Sequence, residues 1–258
     1  MNKRDILNSM VIALTDEMNY ELNMGMADVY LDENKELIMV ATGLDAEPQR
    51  FLVGVEDAPL PNPGAEKDWL GGTWIQTRLG ISFDLANPRP EAVSIYDISN
   101  ALSKLCRYTG HVSQFYSVAQ HSVLVSVILE DSGADMETVR AGLLHDAAEA
   151  YVGDVSSPLK SMLTEFKAIE NEISNVIFEA LRLDCDAVDW RAVKWADMMA
   201  LFIERAVLMA ESDFAWVDED LAKEAEMLGI TKIPSMLPDD ARTHFVERYV
   251  EIGQRMPV

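Results

Sequence analysis

The chain has 258 residues, 49% hydrophobic and 25% charged, a mix that excludes a disordered, collagen-like or coiled-coil protein. Its 21 basic and 44 acidic residues leave a net charge of −23, a field that repels a nucleic-acid duplex and an anionic membrane surface. An anionic small molecule remains admissible, provided that a metal or a few focused cations receive it.

In chain order, residues 2–20 place Ile6, Met10, Ala13, Leu14 and Met18 at helical spacing and predict an amphipathic helix. ADVYLDENKELIMVATG predicts two short strands joined by a hairpin around 32–35, and FLVGVED a third strand. Three prolines and three glycines in APLPNPGAEKDWLGG mark a linker. Residues 1–72 therefore read as a small α+β appendage to a mainly α domain at 73–258. From Trp74 onward the pattern is helical. VSIYDISNALSKLCRYTG predicts a helix capped by Ser94 and stopped by Gly110. SVAQHSVLVSVILED predicts a second, ending before Gly133, and METVRAGLLHDAAEAYVG a third, ending at Gly153. A long fourth helix is expected in KSMLTEFKAIENEISNVIFEALRL after Pro158, and a fifth in DWRAVKWADMMALFIERAVLMAE. The tail adds two more, at 217–229 and 237–254.

Cys106 and Cys185 have no CxxC spacing and read as reduced, partly buried thiols of a cytoplasmic protein. The longest apolar run, around 122–129, falls far short of the roughly 18 residues of a membrane span. Asp5, Asn8 and Ser9 interrupt any signal-peptide core. P-loop, GxGxxG, HExxH and GxSxG motifs are absent from the sequence.

Of the four histidines, His121 lies on an apolar stripe with Val118, Leu124, Val125 and Ile128. Alone it reads as a core histidine with one satisfied hydrogen bond. His145 and Asp146 lie side by side in another amphipathic stretch, where burial is costly unless they are paired or bound to a metal. Asp197 sits among Trp195, Met198, Met199 and Leu201, where a salt bridge to an arginine is the bland alternative. Two imidazoles and two carboxylates from three helices suit a divalent cation with open positions for water. The joint pattern is far more specific than any member of it.

That pattern, H…HD…D, resembles the HD-domain metal-dependent phosphohydrolases, whose fold is a helical bundle. FDLANPRPEAVSIYDISNALSKLCRYTGHVSQFYSVAQHSVLV, followed by GLLHDAAEAYVGDVSSPLK, is similar to the deoxynucleotide 5′-nucleotidases and phage-type dATP triphosphohydrolases of that superfamily. The resemblance spans about residues 74–210, and residues 1–72 lie outside it. It implies His121, His145, Asp146 and Asp197 as ligands of a divalent metal, whether manganese, cobalt, iron, zinc or magnesium. It further implies that Glu149, at the HDxxE position, orients or deprotonates the attacking water. Asp154 is implied near the leaving group or sugar, and Arg107 on the substrate phosphate, which a guanidinium grips in a bidentate fork. Lys160 is a second phosphate cation, and His111 touches either phosphate or its own loop. Tyr108 stands where some relatives carry tryptophan and could wall the sugar or base.

The substrate expected is a small-molecule deoxynucleotide. Hydrolysis of a deoxynucleoside monophosphate and removal of tripolyphosphate from a triphosphate such as dATP both remain open. The alternative is a non-catalytic HD module that senses nucleotides or acts as a scaffold. Residues 1–72 are open to two roles, assembly of a homo-oligomer and cover for the site.

Overall fold

Residues 27–31, 37–41, 49–53, 72–212 and 219–256 are described by the computed structural model. The chain divides into two units, Met1–Lys67 and Asp68–Val258. In the first, β1 (Ala27–Leu31), β2 (Leu37–Ala41) and β3 (Gln49–Val53) form an antiparallel meander in the order β1-β2-β3. The register aligns Val29, Met39 and Phe51 across the three strands. β3 starts two residues earlier than its sequence pattern suggests. The helix expected at 2–20, the turn at 32–35 and most of the Pro/Gly-rich linker lie outside the described residues.

The second unit is mainly helical, but it opens with a ribbon that the helical reading of this region overlooked. β4 (Trp74–Gln76) pairs with β5 (Ser82–Asp84) around a turn where Gly80 takes a φ of 81°. Phe83 of β5 is fully buried and stacks on the Tyr151 ring at 3.8 Å. A three-residue strand is too short to carry a periodic signal, so tertiary contacts such as this stack and the Leu79 N–H on Asp97 Oδ1 define the ribbon.

α1 (Ile95–Leu102) starts as expected at Ser94, whose Oγ accepts from the Tyr96 N–H. It stops eight residues before Gly110. Beyond it, the backbone finds partners across a loop instead of along a helix: Arg107 N–H donates to Tyr116 O and Val118 N–H to Leu105 O. Residues 107–110 then form a 3-10 turn in which Tyr108 and Thr109 take φ of 57° and 53°. α2 (Val118–Asp131) begins with a capping box in which Ser117 and Gln120 satisfy each other's backbone N–H groups.

α3 (Met136–Leu144) is capped by Asp135, but the helix expected to run on to Gly153 tightens at 145–148. Ala147 N–H donates to Leu144 O and Glu149 N–H to Asp146 O, both three residues back, before α4 (Glu149–Val152) closes the stretch. Ala-Ala-Glu-Ala favours an unbroken helix, so the site overrides propensity here. The long fourth helix is likewise split, into α5 (Ser157–Lys160) and α6 (Phe166–Ala180). α7 (Trp190–Leu208) matches its pattern, with the Asp189 carboxylate accepting from the Arg191 and Ala192 N–H groups. α8 (Glu219–Met227) and α9 (Pro238–Arg255) complete the described part.

α2 is the central helix and packs against α3, α7 and α9. Leu129, Leu143, Leu144, Ile173, Ile177, Met199, Phe245 and Ile252 are fully buried in the core, each stabilising by about 1.5–3 kcal/mol relative to exposure. α3 approaches α2 at Gly142, where an added Cβ would lie 2.3 Å from Leu129 Cδ1. Arg248 of α9 staples that helix to α2, donating to Ser126 Oγ at 2.9 Å and pairing with Glu130 at 2.5 Å. Both cysteines are free, and Cys185 is exposed where partial burial was expected. Among the described residues, no helix is long and apolar enough to cross a membrane.

Candidate metal centre

The centre forms where α2, the tightened end of α3 and α7 meet. His121 lies one turn into α2, fully buried, and its Nδ1 is 2.6 Å from Glu204 Oε1. His145 caps α3, with its Nδ1 2.7 Å from the Gly142 carbonyl oxygen. Both partners accept only, so each Nδ1 carries the proton and each Nε2 presents a lone pair. Those two Nε2 atoms face each other at 3.3 Å. Asp146 Oδ2 lies 3.5 Å from the first and 3.2 Å from the second. Asp197 Oδ1 lies 3.3 Å and 3.9 Å from them.

Ligand atoms of His121, His145 and Asp146 all fall within 4.8 Å of one another. This His-His-Asp group could hold a metal ion. Four acceptor atoms converge, with Arg107 Nη1 reaching Asp146 Oδ2 at 3.4 Å, and such an acceptor-rich cluster is reconciled by a cation at its centre. Without a metal, a proton takes that place. Burial opposes a charged imidazole, but Asp146 and Asp197 push the His145 pKa up to about 9. Against the same burial, the two histidines hold the Asp146 and Asp197 carboxyls well below the usual carboxylate range. The salt bridge of Asp197 is to Lys194, at 2.8 Å, and Lys194 is largely exposed.

Glu204 was not singled out by the sequence reading. It is fully buried on α7 and accepts four hydrogen bonds. Oε1 takes His121 Nδ1 and Tyr116 Oη at 2.6 and 2.9 Å. Oε2 takes Arg107 Nε and Tyr108 Oη at 3.3 and 2.5 Å. Burial raises its pKa, yet His121 and Arg107 lower it further. One signal could have found it: Glu204 follows Asp197 by seven residues, two turns along the same helix face, inside the apolar run ALFIERAVL.

On the other side of Asp146 stands Glu149, only 3% exposed. Its Oε1 accepts from Lys160 Nζ at 3.1 Å, while Oε2 has no partner among the described residues. Burial first, then the charges of Asp146 and Asp154, push its pKa up to about 9. Asp154, partly buried, is raised by burial and by Asp146 against the pull of Arg107 and Lys160.

The cations expected for phosphate are already engaged. Lys160 bridges Glu149 and Glu170, the latter at 2.6 Å, and those carboxylates raise its pKa against the effect of burial. Arg107 spans Glu204 and Asp146, the latter at 3.4 Å, so its charge is balanced inside the centre. Tyr108 directs its hydroxyl at Glu204, and burial raises its pKa. His111 is exposed, and its ring makes no hydrogen bond or ion pair among the described residues. The structure thus gathers His121, His145, Asp146, Asp197 and Arg107 at one centre and ties Tyr108 to it through Glu204, with Glu149 and Lys160 adjoining and His111 exposed.

No known family model matches the chain. It is 35% identical over 182 residues to YfdR, an uncharacterized protein of Escherichia coli (strain K12), a match covering 70% of this chain and 97% of the relative. A second relative, the uncharacterized protein RCAP_rcc00048 of Rhodobacter capsulatus, is 30% identical over 140 residues, 51% of this chain and 70% of its own length. With nearly all of YfdR aligned at that identity, the chain belongs to the protein family that includes YfdR.

Proposed function

We propose that the chain is an HD-domain phosphohydrolase that cleaves phosphate esters of deoxynucleotides with a divalent cation held by His121, His145, Asp146 and Asp197. One observation carries the reading: two imidazole nitrogens and two carboxylate oxygens converge within 3.2–3.9 Å, from three segments, with Arg107 Nη1 reaching Asp146 Oδ2 from the side at 3.4 Å. When bound, a divalent cation supplies Lewis acidity, polarising a phosphoryl oxygen and making hydroxide available near neutral pH.

The chain's own residues divide the remaining work. Glu149, buried and with an Oε2 that has no partner among the described residues, uses that oxygen to orient the attacking water. Lys160 orients that carboxylate by holding the other oxygen. Arg107 uses only part of its five-donor fork on Glu204 and Asp146, and turns the rest to the phosphate anion. Asp154 stands by for the leaving oxygen. A monophosphate is favoured over a triphosphate, because Lys160 is held by two glutamates and Lys104 by Asn100, leaving fewer cations for β- and γ-phosphates.

Incubation of dAMP and dATP separately with the purified chain and manganese or cobalt tests this. Inorganic phosphate and deoxyadenosine from dAMP are expected. Tripolyphosphate from dATP would make it a triphosphohydrolase instead. Absence of hydrolysis of a panel of deoxynucleotides by the metal-loaded protein would overturn catalysis in favour of a sensing or scaffold module.

A further inference from the structure

We infer that Glu204 is a positioning residue of the metal centre, fixing His121 in the Nδ1–H tautomer and tying that ligand to the turn that carries Arg107 and Tyr108. The inference rests on the metal-centre reading above and adds a residue to it.

The carboxylate is matched to its surroundings. All four of its neighbours donate, two to each oxygen. An amide of the same shape would offer one acceptor oxygen and set its own N–H groups against donors. His121, Tyr116 and Glu204 are each at most 1% exposed, so water has no room to substitute. The consequence for His121 follows from its ring. With Nδ1–H committed to Glu204 at 2.6 Å, only Nε2 can face Asp146, Asp197 and His145. Without that acceptor the proton is free to sit on Nε2, and the ring then presents an N–H to the place where a cation belongs.

The second oxygen serves the neighbouring loop. Tyr108 and Thr109 both occupy the left-handed region, which residues with a side chain adopt only when their surroundings hold them there. Tyr108 Oη on Oε2 and Arg107 Nε on the same atom supply that hold. One carboxylate therefore sets a metal ligand with Oε1 and the phosphate-facing arginine with Oε2.

The test uses the full chain as wild type, E204Q and E204D, with zinc as a diamagnetic probe. Zinc affinity is read by competition with a chromophoric chelator, and the imidazole nitrogens by two-dimensional 15N NMR of the zinc-loaded protein. In wild type, His121 is expected to bind zinc through Nε2 and to show a protonated Nδ1 slow to exchange with solvent. E204Q should bind zinc about 10–100-fold more weakly and lose the protected Nδ1–H signal. E204D, which restores two acceptor oxygens, should recover that signal, with an affinity between the other two.

A folded E204Q with wild-type zinc affinity and an unchanged Nδ1–H pattern would overturn the inference while leaving the metal centre intact. If E204Q does not fold, the wild-type spectrum decides, because ligation of zinc by His121 Nδ1 overturns the inference without any variant. A wild-type chain that takes up no zinc, manganese or cobalt overturns the inference and the metal-dependent reading together. A chain that binds zinc as expected yet hydrolyses no deoxynucleotide overturns only the proposed catalysis.

Discussion

Two buried glutamates adjoin the candidate metal centre, Glu204 against His121 and Glu149 one turn beyond Asp146, and they could hardly be treated more differently. Glu204 has every lone pair filled by a donor, and its pKa is lowered despite complete burial. Glu149 has a single lysine, one oxygen without a partner and a pKa pushed up to about 9. Burial is common to both, so it is not what separates them. The number of donors decides whether a desolvated carboxylate is locked as an anion or left able to exchange a proton. The first behaviour suits a support and the second a reactive group.

The comparison breaks most completely if the point between the two glutamates is removed. Asp146→Ala deletes a ligand oxygen next to both Nε2 atoms and leaves Arg107 with one carboxylate. Elemental analysis should show metal reduced to background, with turnover abolished and far-UV circular dichroism unchanged. Retention of stoichiometric metal and full activity would sink the four-ligand centre. Next in size, Glu149→Gln should keep the metal and lower kcat by roughly 10²–10⁴-fold. An equal loss of metal and activity would place Glu149 with the supports.

The same residue makes a prediction about pH in the metal-free protein. Glu149 titrates near 9 when folded, against an ordinary glutamate value when unfolded. Between those limits the folded state holds a proton that the unfolded state lacks, so stability falls as pH rises. His145, raised to about 9, acts in the same direction above its own ordinary value. Urea titrations should show E149Q gaining on the order of 1–3 kcal/mol over wild type at pH 8 and much less at pH 5. A constant difference across that range would contradict the raised pKa.

Smaller effects sharpen the picture at its edges. Gly142→Ala forces a methyl group against Leu129, and overpacking of about 1–3 kcal/mol outweighs the roughly 1 kcal/mol that alanine gains in a helix. Tm should fall by several degrees. Smallest of all, Lys194→Ala removes an exposed partner of Asp197 Oδ2. It should change stability by less than about 1 kcal/mol and metal affinity only slightly, as read by chelator competition.

Much of this arrangement was legible in the sequence. The cap at Ser94, the helix around His121 and the helix around Asp197 follow from local chemistry, because each is set by residues within a turn or two of itself. His121, His145, Asp146 and Asp197 stood out because uncompensated imidazoles and carboxylates on apolar stripes ask for a shared partner. What was not legible depends on contacts distant in the chain. The β4–β5 ribbon exists through contacts such as Phe83 on Tyr151, and α1 ends early because Leu105 and Arg107 find partners at Val118 and Tyr116. Lys160 looked like a free cation only because Glu170 is ten residues away and reached through a helix break. Glu204 was hidden by its apolar neighbours, though its spacing from Asp197 was open to inspection.

The tightening after α3 gives the His-Asp pair a further property. In an unbroken helix the Gly142 carbonyl would be taken by the backbone ladder; here it accepts from the His145 ring and orients it. Two ligand atoms from adjacent residues then lie 3.2 Å apart on one rigid stretch. Under the proposed metal-dependent reading, a cation engaged by one arm of the dipeptide would find the other already at high local concentration. Metal capture at this edge would then cost little further ordering of the chain, leaving His121 and Asp197 to close the ring from the facing helices.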